Sequence, residues 1–159
     1  MISAAETALP SEWKLRVWFL AARALLERFP FALIQLALRL SLGSLFLNSG
    51  LIKLKSFEFA VQLFADEYKV PLLPPDVAAA LATFNEVVWP LFLFAGFATR
   101  LAVLPLLAMD AVIVWTFPTA WNEQLLWATG FLVLLTRGAG PLSIDYLVER
   151  WFLRNSAGR

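Results

Sequence analysis

The stretch from Leu33 to Leu54, LIQLALRLSLGSLFLNSGLIKL, constrains the fold more than any other. Its 22 residues span about 33 Å as a helix, which matches the hydrocarbon core of a bilayer. Yet this apolar run carries Arg39, Asn48 and Lys53. At helical spacing Arg39, Gly43, Phe46, Gly50 and Lys53 fall on one stripe. Two glycines on a stripe let a second backbone approach closely. Charges on a stripe cannot face lipid cheaply, so this stripe is expected to face protein.

Composition agrees with a membrane bundle. The chain has 159 residues, of which 60% are hydrophobic and 16% charged, with a mean hydropathy of +0.72. A soluble domain is about 45–50% apolar and about 25% charged. The net charge of +1 gives no footing for nucleic acid. The chain contains no histidine and no cysteine. That removes the usual haem ligands, thiolate clusters, typical zinc sites and any dithiol relay. Two methionines alone make a poor copper site. No metal site is expected, and redox chemistry here would need an organic cofactor or a partner subunit.

Residues 1–10 read as a loose terminus. Ser11 to Phe29 reads as a helix, with Ser11 as its N-cap, mixing large apolar residues with Lys14, Arg16, Arg23 and Arg28. Glu6, Glu12 and Arg23 argue against a cleaved leader. An interfacial helix over anionic headgroups fits, as does an extension packed on a partner. After the first span, Phe57, Val61, Phe64 and Tyr68 share one face of a short helix expected at the opposite membrane surface. The prolines of VPLLPPD then forbid regular helix, giving either a lid or a stiff connector. Asp76 is the expected cap of a second span. GFATR makes a tight turn into a third, Pro118 ends that one, and RGAGP ends a fourth. Ser143 is the expected cap of a last helix with an apolar stripe of Ile144, Leu147, Val148, Trp151 and Phe152.

The expected class is therefore all-α: an integral membrane four-helix bundle with flanking amphipathic interfacial helices. The N-terminal segment covers 1–30 and the bundle 31–137, with spans at 33–54, 77–97, 101–117 and 120–136 and an outer loop at 55–76. A C-terminal amphipathic segment covers 138–159. With four spans, Lys14, Arg16, Arg23, Arg28, Arg100, Arg137, Arg150, Arg154 and Arg159 share one side, nine of the thirteen basic residues. That side is expected to be cytoplasmic, with both termini, and the loop periplasmic. Six tryptophans near span ends or interfacial helices read as an aromatic belt.

Four charges lie within spans: Arg39, Lys53, Glu86 and Asp110. Counting rise along antiparallel helices allows Arg39–Asp110, Lys53–Asn48–Glu86 and Arg39–Glu86 clusters. An unpaired charge at mid-membrane costs about 2.5–3.5 kcal/mol, so pairing is expected whatever the function. One reading is a set of structural clasps. The other is a polar pocket in which Lys53 and Asn48 bond a quinone carbonyl, Glu86 exchanges a proton with the quinol, and Phe84, Trp89 and Phe92 pack on the ring. A small transporter with Glu86 or Asp110 as its proton site is a third reading.

The run RLSLGSLFLNSGLIKL resembles the first membrane segment of the DoxX family. Three later stretches, NEVVWPLFLFAGFATR, the apolar segment after it, and RGAGPLSID, resemble the rest of that family's pattern, in its order. The resemblance covers residues 33–148 and singles out Gly50, Lys53, Glu86 and Arg100. It implies a four-helix bacterial inner-membrane protein. It also implies either a non-haem subunit of a quinone-linked oxidoreductase or an anchor or accessory subunit of a larger complex. DEYKVPLLPPDVAA resembles a subgroup associated with copper-binding peptides. The expected partners are the lipid bilayer and other protein subunits, and the cofactor that this resemblance implies is a quinone. Arg100 reads as a turn anchor on the positive side, or as a ligand for a lipid phosphate.

Overall fold

The structure, a computed structural model, describes residues 11–156, with side chains from Trp13 to Asn155. The expected looseness of residues 1–10, the Ser11 side-chain cap and the position of Arg159 lie outside the described residues. The chain divides into a unit ending at Pro30 and a unit from Phe31 onward. In the first, α1 (Ser11–Glu27) holds an Arg23–Glu27 ion pair at 2.7 Å, one helical turn apart.

The second unit contains α2 (Phe31–Lys55), α3 (Phe57–Leu63), α4 (Pro75–Ala95), α5 (Thr99–Thr116), α6 (Trp121–Arg137) and α7 (Ile144–Ser156). A π-helical turn, Phe64–Tyr68, extends α3, and a short 3-10 turn, Pro118–Ala120, precedes α6. There is no strand among the described residues. The protein is an all-α membrane bundle. α2 packs on α4, α4 on α5, α5 on α6, and α6 returns to α2. α2 and α4 run antiparallel, since Gly43 meets Phe94 while Gly50 meets Glu86.

The distribution of polarity is inverted relative to a soluble domain. Arg39, Glu86 and Asp110 are buried, whereas Ile52, Leu101, Leu104, Leu126 and Trp115 are exposed. An outer surface of this kind is stable only against lipid. α2, α4 and α5 are long and apolar enough to cross a membrane. α6 has 17 residues, about 25 Å, the lower end of spanning length. Leu42, Phe46, Leu93, Val103, Leu106, Phe131 and Leu134 form the core. Phe46 sets its ring edge-on to Phe131 and Trp127 at centroid distances of 5.5 and 5.9 Å. A second cluster seats Ala60 and Phe64 on Ala78, Ala79 and Ala82 of α4. α3 therefore packs along the first half of α4.

The helix ends correct one expectation. Asp76 does not cap α4: the cap position is Pro74, and Pro75 opens the helix. Proline's fixed φ suits the first helical position, where its missing N–H is no loss. Asp76 instead stands in the first turn, where its charge complements the helix dipole. Gly96, at φ 63°, ends α4, with Gly96 N–H bonded to Leu93 O and Phe97 N–H to Phe92 O. Ser143 does cap α7, accepting the Tyr146 N–H at 3.2 Å.

Candidate functional site

The buried stripe of α2 organises two polar centres, one toward each end. Arg39, Gly43, Phe46 and Gly50 are buried, and the Lys53 side chain is 12% exposed. At Gly50 a Cβ would lie 2.8 Å from Glu86 Cβ and 2.9 Å from its carbonyl carbon. No side chain fits there, so α2 and α4 touch backbone to backbone at the level of Glu86. One turn on, Lys53 Nζ donates to Glu86 Oε2 at 2.7 Å, Glu86 Oε1 at 2.9 Å and Ser49 Oγ at 2.8 Å. All three ammonium protons are thereby engaged.

This pair forms part of the wall of a cavity of about 700 Å³. Its lining is mainly apolar, with Phe46, Phe64, Tyr68 and Trp127 as the aromatic members, and Asn85 and Gln124 as further polar ones. Ile52, Leu81, Ala108 and Val112 also line it and are exposed on the outer surface of the bundle. The cavity thus reaches the surface that lipid covers. Val70 and Leu73 of the proline-rich connector lie along its edge. Tyr68 ends the π-helical turn, its ring held edge-on by Phe64 and Phe117 at 4.8 and 5.2 Å. Burial first, and then the carboxylates of Glu86 and Glu67, push the Tyr68 phenol up, so it keeps its proton.

Several expected clusters come out differently. Asn48 is exposed and stands apart from the ion pair. Ser49 takes its place because it lies one turn before Lys53, on the same face. Arg39 joins neither Asp110 nor Glu86. It lies level with Gly96 at the end of α4, while Asp110 is eleven residues into α5, about 16 Å away along the axis. Asp110 Oδ1 and Gln124 Oε1 are buried without a hydrogen-bond partner. Phe84, Trp89 and Phe92 do not line the cavity. Phe84 is exposed, and Trp89 packs on Phe92 and donates to Asn85 Oδ1 at 2.8 Å.

The second centre is a clasp at the end of the bundle where α4 turns into α5. Asp145 Oδ1 accepts the Ala98 N–H at 2.6 Å, and Oδ2 accepts the Thr99 N–H at 2.9 Å. Its own N–H donates to Gly96 O at 2.9 Å. The carboxylate so caps α5 from 46 residues away in sequence. Arg39 Nη2 donates to Leu142 O, and Gln35 Nε2 donates to the carbonyls of Arg137 and Gly138 at 3.2 and 3.0 Å. A Cβ on Gly96 would fall 1.8 Å from Arg39 Nη1, so glycine is required both for its positive φ and for the guanidinium beside it. Arg100 is exposed, its Nη2 3.4 Å from Thr136 O.

The stretch from α2 through α5, which carries the α2 stripe and the Lys53–Glu86 pair, matches a known family. The family model for DoxX covers residues 34–119. The chain belongs to the DoxX family. An uncharacterized protein of Haemophilus influenzae (strain ATCC 51907 / DSM 11121 / KW20 / Rd) is 28% identical over 126 residues, covering 72% of this chain and 83% of the relative. No solved structure matches this DoxX chain. Three polar residues of the DoxX bundle escaped the sequence reading: Gln35, Ser49 and Asp145. Gln35 and Ser49 had a usable signal, each standing one turn before a charge on α2. Asp145 lies in the quoted RGAGPLSID run, but only the folded turn shows that it caps α5.

Proposed function

We propose that this DoxX protein is the non-haem membrane subunit of a quinone-linked redox system and takes quinone into the cavity beside Lys53 and Glu86. One observation carries the reading: a buried ion pair stands at the wall of an apolar, aromatic-lined cavity that opens on lipid-facing residues. A lipid-soluble ring with two polar oxygens suits such a site in size, polarity and route of entry. The Tyr68 phenol is the hydrogen-bond donor for a ring oxygen, since the Lys53 protons are already engaged. Glu86 is the group able to exchange a proton with a reduced ring, Lys53 holding its charge in place. A bound quinone would supply the electron chemistry, and a soluble or membrane partner would deliver the electrons.

The same reading includes four spans in a bacterial inner membrane, with both termini cytoplasmic. Its test is binding of a short-chain quinone to the purified protein, measured by equilibrium dialysis. Ala108 lines the cavity and is exposed, so Ala108→Trp blocks the opening without disturbing the core. Saturable binding lost in this variant supports the reading. Equal uptake by both proteins counts against it.

A second reading has its own support. Lys53 is fully satisfied by Glu86 and Ser49, which is what a clasp between helices needs. An anchor or accessory subunit of a larger complex, including one serving a copper-binding peptide, would need no more than that.

A further inference from the structure

A second cavity, of about 980 Å³, lies beside the clasp at the end of the bundle carrying Arg100 and Arg137. These two arginines come from the first turn of α5 and the last residue of α6. Both are exposed, and neither is ion-paired among the described residues. Arg100 lies across Gly138, where a Cβ would be 3.6 Å from its Nε. Thr99, fully buried, shares the lining, and its Oγ1 has no hydrogen-bond partner. Phe31 and Leu101 complete an apolar wall, and both are exposed on the outer surface.

Two carboxylates share the cavity. Asp145 is engaged, since both its oxygens accept backbone N–H groups of the α5 turn. Glu149 is exposed and has no such bonds. The lining thus carries two guanidinium groups and two carboxylates, a formal charge of zero, but the Asp145 oxygens are turned to the α5 backbone and leave Glu149 as the carboxylate open to the cavity. The cavity lies at span ends, the depth of the phosphate layer for a bundle of this length. Arginine bonds phosphate through two parallel N–H groups, and two unpaired guanidinium groups at that depth suit a phosphate-bearing headgroup.

We propose that this cavity binds a phosphate group between Arg100 and Arg137, carried by a phospholipid headgroup or free in solution. With the lipid, an acyl chain lies along Phe31 and Leu101. The site is independent of the quinone cavity and stands or falls separately.

The test uses the full chain in a neutral detergent, stripped of lipid. Thermal shift and native mass spectrometry are read with added phosphatidylglycerol, phosphatidylcholine or inorganic phosphate. Phosphatidylglycerol is expected to bind and stabilise, and Arg100→Gln or Arg137→Gln is each expected to weaken it about fivefold. Competition by millimolar inorganic phosphate assigns the site to the phosphate alone, and lack of competition assigns it to the lipid. Both results support the proposal. Glu149→Gln is expected to tighten binding, and it keeps the test decisive should an arginine variant fail to fold. Binding unchanged in Arg100→Gln/Arg137→Gln, or untouched by Glu149→Gln, overturns the proposal. So does a phosphatidylglycerol response that is absent.

Discussion

Lys53 Nζ lies 2.7 and 2.9 Å from the two carboxylate oxygens of Glu86, inside a bundle whose outer surface is apolar. The Glu86 side chain is only 4% exposed. A pair closed this tightly is coupled, and removing one partner strands the other. Glu86→Gln is expected to cost about 3 kcal/mol of stability, because it leaves a buried ammonium. Lys53→Met/Glu86→Gln should recover about 2 kcal/mol of that loss. Thermal denaturation of the single and double variants measures both. Additive losses would show the pair to be uncoupled.

The approach of α2 to α4 at Gly50 makes a second, contrasting prediction. A Cβ there meets the Glu86 backbone at 2.9 Å, and backbone cannot move aside. Gly50→Ala should destabilise by about 2 kcal/mol through overpacking. Gly130 is also buried in a helix, but a Cβ there meets the tip of Leu42 at 3.0 Å. That flexible side chain can yield, and alanine's helix preference offsets the cost, so Gly130→Ala should lie within about 1 kcal/mol of the parent. Chemical denaturation of the two variants side by side distinguishes them.

Asp145 ties the start of α7 back to the α4–α5 turn. Asp145→Ala removes a cap from Ala98 and Thr99 and should cost about 1 kcal/mol. Hydrogen exchange should quicken at the first turn of α5 and leave the α2–α4 contact protected. Uniform loss of protection would mean that the clasp is not local.

These contacts show what was legible beforehand. The helices and the α2 stripe were readable because apolar periodicity and buried charge both depend on local spacing. Counting rise places Asn48 at the depth of Glu86 and Lys53 one turn above, close enough for a lysine side chain to reach the carboxylate. Asn48 could not be told from Ser49 without the phase of the helix against its neighbour, since one residue turns a side chain by about 100°. Depth along the helices allows Arg39 to pair with Asp110 or with Glu86, but its partner is the Leu142 carbonyl, in a loop whose path local sequence does not specify. Phe84, Trp89 and Phe92 are equally aromatic on paper, and only packing decides that Phe46, Phe64, Tyr68 and Trp127 line the cavity.

The proposed orientation rests on the placement of the basic residues and is open to direct measurement. Reporter fusions at residues 68, 99, 120 and 159 are expected to read outside, inside, outside and inside. A cytoplasmic signal at Tyr68 would contradict both the four-span arrangement and the periplasmic placement of the loop.

The central claim is that the cavity beside Lys53 and Glu86 serves a quinone and not the fold alone. Thermal shift of the unmutated protein, Glu86→Gln and Lys53→Met/Glu86→Gln, each with and without a short-chain quinone, tests it most directly. The account predicts that quinone raises the melting temperature of the unmutated protein, and that the double variant regains stability without regaining the quinone response. No quinone-dependent shift in the unmutated protein, together with full recovery in the double variant, would contradict it and leave Lys53–Glu86 as a structural clasp.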